Sequence, residues 1–475
     1  MAAVAETPST PQLKAMLGPQ LTTEQAQAIY RQGEEAVVFA LLTLAAMTAP
    51  SRPRPDPATP SGMTPPYQKP PAKARRRQAG RKRGHPGSRR PAPLHIDHHQ
   101  QHTLDACPLC QGPVTPCQSS RTRLIEDIPE PITPVVTEHT IHRYWCPACQ
   151  QTVEPTVSDA LPGATLGLHV LVLSAWLHYA LGNTLSQIVA VFNFHLHLQL
   201  TAGGLVQMWY RLQAILFAWY EQIQETALQA AVLHADETGW RVGGKTHWLW
   251  CFTTQDLTYY LIDRCRGSPV LKRFFKKHFA GTLVSDFWGA YNAANCAQRQ
   301  KCLPHLLREL KKVDHYHRPG GDWPAFAKKL RRLIRDGLRL RQRQRPAAEC
   351  AAGRRRLEAR LQKLIAQAWE NPHARRLVKR LRRHAQELFT FLDHPEVPFD
   401  NNHAERIIRP AVIIRKNSYA NGSEDGANAQ AVLMSVYRTL KQRGHNPIQT
   451  IVAALRTYLS TGVLPPLPDR ITEVR

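Results

Sequence analysis

The chain has 475 residues, and its 62 Lys and Arg outnumber its 36 Asp and Glu, which gives a formal net charge of +26 at pH 7. Its 43% of hydrophobic residues exclude a disordered polycation, and its length predicts roughly three domains. An excess of positive charge this large predicts an anionic partner, with nucleic acid ahead of ribosomal, membrane-surface and heparin-type binding.

Two stretches bear on the compartment. Residues 1–10 have neither the basic start nor the apolar core of a secretory signal, so we expect a cytoplasmic protein whose ten cysteines are reduced or bound to metal. Residues 164–182 form 19 positions without a formal charge, which is long enough for a membrane span. Because His169, Ser174 and His178 interrupt this stretch and no basic flank anchors it, we expect a buried helix and no membrane contact.

The N-terminal region, 1–49, is predicted to be a helical segment. The pattern begins at Thr22, where Gln25 completes a possible capping box. Its apolar face consists of Ala26, Ile29, Val37, Leu41 and Leu44. We expect this face to contact a partner or a second copy of the chain, with 37–44 as the candidate surface.

A proline-rich segment without apolar periodicity follows, and it predicts a disordered basic linker over 50–94. Between residues 69 and 90 it has ten Lys or Arg and no acid, with Arg81, Lys82 and Arg83 at the centre. Such an arm can follow phosphates or lie in a minor groove without reading sequence closely. A solvated charged tether is the alternative.

The strongest local signal is a pair of Cys-x-x-Cys knuckles, formed by Cys107, Cys110, Cys146 and Cys149. Four thiolates suffice for a tetrahedral zinc site, and the Pro in each knuckle favours the tight turn that aims both sulfurs at one ion. We therefore expect a structural zinc module over 95–155, with hairpin strands such as 135–144 between the knuckles. Cys117 and His142 are alternative ligands, and redox chemistry would need only one pair.

Residues 156–229 are predicted to be helical, with breaks at 182–183 and 202–204. The segments 185–192 and 201–212 have the proportions of a helix-turn-helix, which would make this region DNA-binding. Helices that pack against the next domain and connect it to the zinc module are the favoured interpretation.

A mixed α/β core is predicted over 230–304, starting with an apolar strand over 230–235 that ends in Asp236 and is punctuated by Gly239. Asp236 shares a face with His234, whereas Glu237 points to the other side, so we prefer Asp236 as a metal-binding acid. An acidic turn at a strand end is the alternative.

Further strands are predicted over 246–252 and 257–263, followed by a crossover helix over 267–279. The next apolar strand again ends in a carboxylate, Asp286, and a short strand is expected near 301–303. This order places Asp236 and Asp286 at the ends of neighbouring strands.

The region 305–399 is helical in composition and strongly basic. Residues 328–345 contain nine Lys or Arg against the single Asp336, and residues 375–383 contain six more. A solvated helical surface is the usual meaning of such runs, but charge this one-sided favours contact with a DNA backbone.

The last region, 400–475, opens a helical pattern that carries Glu405. Asn402 and Glu405 fit a capping box, and Glu405 with Arg409 fits an i, i+4 ion pair, so a structural role is available. A carboxylate in the first turn of a helix can also meet carboxylates at strand ends.

Three blocks of the sequence resemble the signature blocks of the insertion sequence 66 family of DDE transposases: HADET at 234–238, SDFWGAY at 285–291 and NNHAER at 401–406. Segment 305–310 is similar to the family's segment after the second aspartate, although Pro304 stands where a tryptophan is often seen. The double Cys-x-x-Cys and segments 415–418 and 439–441 also resemble that family.

The resemblance implies an α/β catalytic core of RNase H-like type, a mixed sheet with flanking helices, with a large helical insertion between the second and third acids. It assigns Asp236, Asp286 and Glu405 as catalytic acids. Oxygen ligands of this kind suit Mg²⁺ or Mn²⁺. The candidate DNA contacts near them are His305, Arg308, Arg409 and Lys416, with helix packing or a solvated surface as the alternative role.

The implied activity is that of a bacterial insertion-sequence transposase, which binds double-stranded DNA at the element's terminal repeats, cleaves a strand and joins it to target DNA. The implied partners are further copies of the chain on DNA and accessory proteins of the same element, at the nucleoid. Two alternatives remain, a zinc-containing DNA-binding regulator without catalytic activity and a structure-specific nuclease on the same fold.

Overall fold

The computed structural model describes residues 22–31, 33–34, 36–38, 40–41, 95–101, 104–106, 108–115, 122–125, 132–343 and 346–471. The predicted basic linker, with Arg81, Lys82 and Arg83, lies outside these residues, as do Cys107 and Cys117. The strands are β1 (Tyr144–Cys146), β2 (Gln151–Val153), β3 (Val232–Val242), β4 (Lys245–Thr253), β5 (Thr258–Asp263), β6 (Phe279–Ser285) and β7 (Cys296–Lys301).

The helices, in chain order, are α1 (Thr23–Tyr30), α2 (Leu168–Trp176), α3 (Leu185–Ala190), α4 (Ala202–Leu228), α5 (Ser268–Phe274), α6 (Leu303–Tyr316), α7 (Trp323–Gln342), α8 (Ala347–Ala366), α9 (Pro372–Arg383), α10 (Asn402–Ser418), α11 (Glu424–Gln442) and α12 (Pro447–Thr461). Helices α2 and α3 each continue into a π-helical turn. In the described part of the chain, no helix is both long and apolar enough to cross a membrane.

Five strands form a mixed sheet in the order β5-β4-β3-β6-β7. The first three strands in the chain, β3 to β5, pair as an antiparallel meander. After the crossover helix α5, β6 returns parallel to β3, and β7 then adds parallel to β6. The predicted mixed sheet with flanking helices is therefore confirmed, and β3 and β6 are neighbours, as expected.

Three predicted boundaries in this region are wrong. Strand β3 does not stop near Gly239, because its pairing with β4 continues to the hairpin turn at Gly243, and Asp236 therefore lies inside the strand. The crossover helix ends at Phe274, and Phe279 already belongs to β6. The last strand is Cys296–Lys301 rather than 301–303, because Leu303 begins a helix with a proline in its first turn.

The helices that precede the sheet share one hydrophobic core with it, in which Trp209 and Trp219 of α4 are buried together with Trp250 of β4. The predicted break at 202–204 is wrong, since α4 begins there and the hydroxyl of Thr201 accepts a hydrogen bond from the backbone N–H of Gly204 at 3.1 Å. This packing favours the connecting role of the region over a free helix-turn-helix.

Helices α6 to α9 form a second hydrophobic cluster, which Val284 of β6 joins from the sheet. The basic block is thus a folded helical unit inserted between β7 and α10. The apolar stripes of its helices supply the cluster, while many of its arginines and lysines remain exposed.

In the predicted zinc module, β1 and β2 form a small antiparallel hairpin on either side of the second knuckle. The predicted strands over 135–144 are wrong, since only Tyr144 of that range is in a strand and Val135 and Val136 are exposed.

In the N-terminal segment, Ile29 and Ala40 are buried and Val37 packs against them, whereas Ala26 and Leu41 are exposed; Leu44 lies outside the described residues.

Gly281 gives a test of the contact between β6 and the chain entering β3. A Cβ at Gly281 would lie 2.3 Å from the carbonyl oxygen of Ala230 and 2.7 Å from that of Ala231, which is closer than real contacts allow. Gly281→Ala should therefore lower the free energy of unfolding by about 1–3 kcal/mol, the usual cost of overpacking. Denaturant unfolding measures this, with Gly289→Ala as the control because nothing lies within 4 Å of its new Cβ. Equal stability of the two variants would contradict the packing described.

Candidate active site

Asp236 in β3 and Asp286, the residue after β6, stand at matching positions relative to the parallel pairing of these two strands. The pairing of β3 with β6 ends at His234 and Val284, and each acid lies two residues further along its strand direction. Although Asp236 is inside β3, it is therefore just beyond the end of the parallel pairing. Beyond this point β3 no longer pairs with β6 and continues its pairing with β4.

The third candidate acid, Glu405, comes from the first turn of α10. The predicted capping box is wrong, because Asn401 rather than Asn402 precedes the helix and makes no side-chain cap. The carboxylate of Glu405 instead accepts a hydrogen bond from Nη2 of Arg308 at 2.7 Å, across 97 residues of sequence. Its partner is thus on α6, in the insertion.

Asn401 connects the helix that carries Glu405 to the strand that carries Asp236. Its Nδ2 donates to the carbonyl oxygen of Ala235 at 2.8 Å, and its Oδ1 lies 3.0 Å from Nδ1 of His234. Because Nδ2 is the amide donor, Nδ1–H of His234 donates to Oδ1. Burial lowers the pKa of His234 to about 4, which keeps the ring neutral and suited to this single donation.

The acids form one electrostatic group around Asp236. Burial is the first cause that raises the pKa of Asp236 well above its ordinary value, and the charges of Glu237, Asp286 and Glu405 raise it further. The backbone N–H of Glu237, which donates to Oδ1 of Asp236 at 3.0 Å, acts in the opposite direction. Like charges gathered in a buried place are expensive unless a cation joins them.

Glu237 has an ion-pair network of its own. Its buried carboxylate accepts hydrogen bonds from Nη2 of Arg266 at 3.0 Å and from the hydroxyl of Tyr291. The guanidinium of Arg266 lies between two indoles, 4.4 Å from the ring centroid of Trp248 and 4.1 Å from that of Trp288. Burial and then the charge of Asp286 raise the pKa of Glu237 to about 7, while Tyr291 and Arg266 oppose this shift.

A buried lysine lies beneath Asp286. The Nζ of Lys301, on β7, donates to the hydroxyl of Ser285 and to the carbonyl oxygen of Asp286, both at 3.0 Å. Its side chain is fully buried, and burial lowers its pKa, while the charges of Glu387 and Asp286 act in the opposite direction. Lys301 thus fixes the backbone of the acid and partly offsets the negative charge.

The remaining candidate DNA contacts fall into two groups. Nε2 of His305 is 3.8 Å from Oε1 of Glu405, and Arg308 bonds the same oxygen, so both side chains are at the site. Arg409 and Lys416 are exposed on α10. Between them, Arg415 points inward and donates to Thr238 at 3.1 Å, which holds α10 against β3.

In the zinc module, the structure describes three of the four predicted thiols. Cys110 and Cys149 are exposed and Cys146 is half-buried at the end of β1. Hydrogen bonds from the backbone and then the side chain of Cys149 lower the pKa of Cys146, which favours its thiolate. The second knuckle is therefore arranged around a site that suits a thiophilic metal.

On the insertion, α7 presents a continuous basic seam. Its exposed cations recur at helical spacing along one face: Lys328, Arg332, Arg335 and Arg339. The opposite face of the helix is buried in the second hydrophobic cluster. Asp336 accepts a hydrogen bond from Arg360 of α8 at 2.8 Å, so the single acid of the run is neutralised within the insertion.

Sequence reasoning missed three residues that shape this site, Arg266, Lys301 and Asn401. Arg266 sits in a short loop after β5, where nothing in its neighbours marks it. Lys301 had a detectable signal, because a lysine next to the apolar start of α6 is an unusual position for an exposed charge. Asn401 belongs to a block noted for its resemblance, but its partner His234 is 167 residues away.

Fold and site together describe a mixed-sheet core with clustered acids, interrupted by a basic helical insertion and preceded by a zinc module. The family model for the Transposase IS66 family matches residues 163–429, more than half of the chain, and this chain belongs to that family. A second model, for the zinc-finger binding domain of transposase IS66, matches residues 105–150 and supports Zn²⁺ as the metal of the module.

A relative from Sinorhizobium fredii (strain NBRC 101917 / NGR234), an uncharacterized protein called y4qI, is 25% identical over 268 residues. The similarity covers 50% of this chain and 49% of the relative, so the chain spans about half of that protein's length.

Asn401 provides a test of how α10 is held to β3. Asn401→Ala removes two side-chain hydrogen bonds and leaves buried groups of His234 and Ala235 without those partners, so we expect a loss of about 2–3 kcal/mol in the free energy of unfolding. The control is Asn402→Ala, at the next position in the chain. The amide of Asn402 is exposed and donates to the carboxylate of Asp400, so its loss should lower the free energy of unfolding by less than about 0.5 kcal/mol. Losses of equal size would show that Asn401 does not bridge the two elements.

Proposed function

We propose that this chain is a DNA transposase whose catalytic acids are Asp236, Asp286 and Glu405. The observation that carries the proposal is that Asp236 and Asp286 lie where the parallel pairing of β3 and β6 ends and that Asp236 interacts electrostatically with both Asp286 and Glu405 of α10, in a chain of the IS66 family. The order β5-β4-β3-β6-β7, with an antiparallel meander and two parallel additions, supports an RNase H-like core.

The donor set fits divalent cations. Three carboxylates supply the oxygen ligands that Mg²⁺ and Mn²⁺ prefer. Burial and then the negative charges around it raise the pKa of Asp236, and such ions would relieve the repulsion between these charges. Asp236, Asp286 and Glu405 are the residues that would hold them. When bound, the ions supply activation of the attacking oxygen and stabilisation of the leaving oxygen in an in-line phosphodiester displacement.

The chain's own residues orient this chemistry. Lys301 fixes the backbone at Asp286, and Asn401 sets the first turn of α10 against the strand of Asp236. In the first reaction, water attacks the phosphodiester at an element end and breaks the bond to the 3′ oxygen, which leaves a 3′ hydroxyl. In the second, that hydroxyl attacks a phosphodiester of the target DNA and displaces the target's own 3′ oxygen, so that one phosphodiester bond forms as another breaks. Neither reaction needs a covalent bond to the protein.

The double-stranded DNA substrate accounts for the distribution of positive charge. The exposed cations of the basic seam of α7, together with Arg409 and Lys416, are available to contact phosphates, and Arg308 and His305 lie beside Glu405, where they could contact a phosphate near that acid. Two copies of the chain would pair the two element ends, and the zinc module would help to bind the terminal repeats.

The test of the proposal is a strand-transfer assay on terminal-repeat DNA with Mg²⁺. Asp236→Ala, Asp286→Ala and Glu405→Ala should each lower cleavage and joining by at least about 1,000-fold, because each removes charge that holds the reacting groups in place. Binding to the same DNA should change little. Asp256→Ala is the control, since it removes an exposed carboxylate that pairs with Arg470 in another part of the fold.

The outcomes of this assay separate the alternatives. Full cleavage by the Asp286→Ala protein would falsify the assignment of the acids. Binding to terminal-repeat DNA with no cleavage by the wild type would identify a regulator, and cleavage of junctions or flaps without joining would identify a structure-specific nuclease.

The basic seam makes a separate prediction. Replacing Arg332, Arg335 and Arg339 together by Gln should weaken DNA binding and lower the slope of log affinity against log salt by about 0.9 for each phosphate that α7 no longer neutralises. Binding titrations at several salt concentrations measure this slope. The control replaces Lys245, Lys276 and Lys277, three exposed lysines of the sheet domain, by Gln, which changes the net charge equally. The same slope in both triple variants would mean that α7 only adds to the overall charge.

A further inference from the structure

A second type of metal site overlaps the candidate acids. Cys302, His305 and Glu405 each offer a ligand atom, and these three atoms lie within 4.8 Å of one another. The group combines a thiol, an imidazole and a carboxylate. Among the described residues, these are the three possible metal ligands whose ligand atoms come this close together. The ligand atoms of Asp236, Asp286 and Glu405 are not all this close to one another.

The local structure explains why these side chains converge. Cys302 immediately precedes α6 and His305 lies in the first turn, so their spacing of three residues places both side chains on one side of the helix end. Glu405 approaches from the first turn of α10. The backbone N–H of Asn401 donates to Sγ of Cys302 at 3.3 Å, which links the two helix starts directly.

The ligand chemistry selects the metal. Thiolate and imidazole are ligands for zinc and related ions, while Mg²⁺ strongly prefers oxygen, and three protein ligands with an open fourth position are a common zinc arrangement. Ligand atoms around a tetrahedral zinc ion are about 3.5 Å apart, so the present separations need only small side-chain rotations. Cys302 is buried, and the half-buried His305 and Glu405 leave the group open on one side.

We propose that Cys302, His305 and Glu405 form an inhibitory zinc site, whose occupation withdraws Glu405 from the acids of the active site. Zinc binding at these residues stands on their geometry, and the inhibition rests on the function proposed for Glu405. One carboxylate cannot complete both sets of ligands. Zinc and the catalytic ions therefore compete for the carboxylate of Glu405.

Arg308 is the natural competitor of zinc at this site. Its guanidinium bonds Glu405 at 2.7 Å and lies 3.2 Å from both ring nitrogens of His305, where its positive charge opposes a cation. Its side chain is 42% exposed, so it can turn towards solvent when a metal binds. Removing Arg308 should thus strengthen zinc binding, which is the opposite of what loss of a purely structural contact would do.

The test is the zinc content of the purified full-length chain after equilibrium dialysis at a series of free zinc concentrations. We expect Cys302→Ser and His305→Ala to hold one zinc per chain fewer than the wild type, with affinity at this site lowered more than about 100-fold, since even the outer partners of metal ligands contribute 10–100-fold. Arg308→Ala should bind this zinc more tightly. Cys350→Ser, which changes a thiol on α8, should match the wild type.

Zinc counts equal to the wild type in both Cys302→Ser and His305→Ala would overturn the site, and unchanged or weaker zinc binding by Arg308→Ala would overturn the competition. A second measurement is the ratio of DNA cleavage with and without added zinc in Mg²⁺, for each variant relative to its own activity. Zinc should inhibit the wild type and Cys350→Ser but not Cys302→Ser. A chain that binds this zinc yet never cleaves DNA would leave the zinc site in place and reject the proposed function instead.

Discussion

Asp236, Glu237 and Asp286 lie together where the parallel pairing of β3 and β6 ends, and the residues around them offset the electrostatic cost of holding these carboxylates in a mostly buried place. Each acid has its own compensation: Glu237 is paired with Arg266 and Tyr291, Asp286 has Lys301 beneath its backbone, and Asp236 accepts the N–H of Glu237. Asp236 has the least cationic support among them. The proposed catalytic cations would supply the positive charge that the protein's own side chains do not provide near Asp236.

The insertion contacts the candidate active site through its helix α6. Its first helix carries Arg308 and His305 to Glu405, and Val284 of β6 is shared with the insertion's hydrophobic cluster. Arg308 bonds the carboxylate of Glu405, and both the proposed catalytic ions and the proposed inhibitory zinc would need that same carboxylate.

Most sequence predictions within the sheet were accurate because alternating apolar residues and turn residues are local signals. The errors have physical causes. Gly239 did not end β3, because cross-strand pairing with β4 outweighed the conformational freedom of one glycine. The glycines at 203–204 did not break a helix, because a cap from Thr201 begins α4 there. Glu405 is not in the predicted capping box because α10 begins one residue earlier than expected, and its carboxylate instead bonds Arg308 of the insertion.

Four features could be read without coordinates: the excess of positive charge, the Cys-x-x-Cys pair, the neighbouring strands that lead to Asp236 and Asp286, and the blocks that resemble a transposase family. These follow from composition and short spacings, which survive without coordinates. The contacts between distant groups came from the packing of the folded chain alone: Asn401 with His234, Arg308 with Glu405, and the pair Cys302 and His305 with Glu405. Such contacts join residues about a hundred or more positions apart, and no local periodicity encodes them because packing of separate elements brings them together.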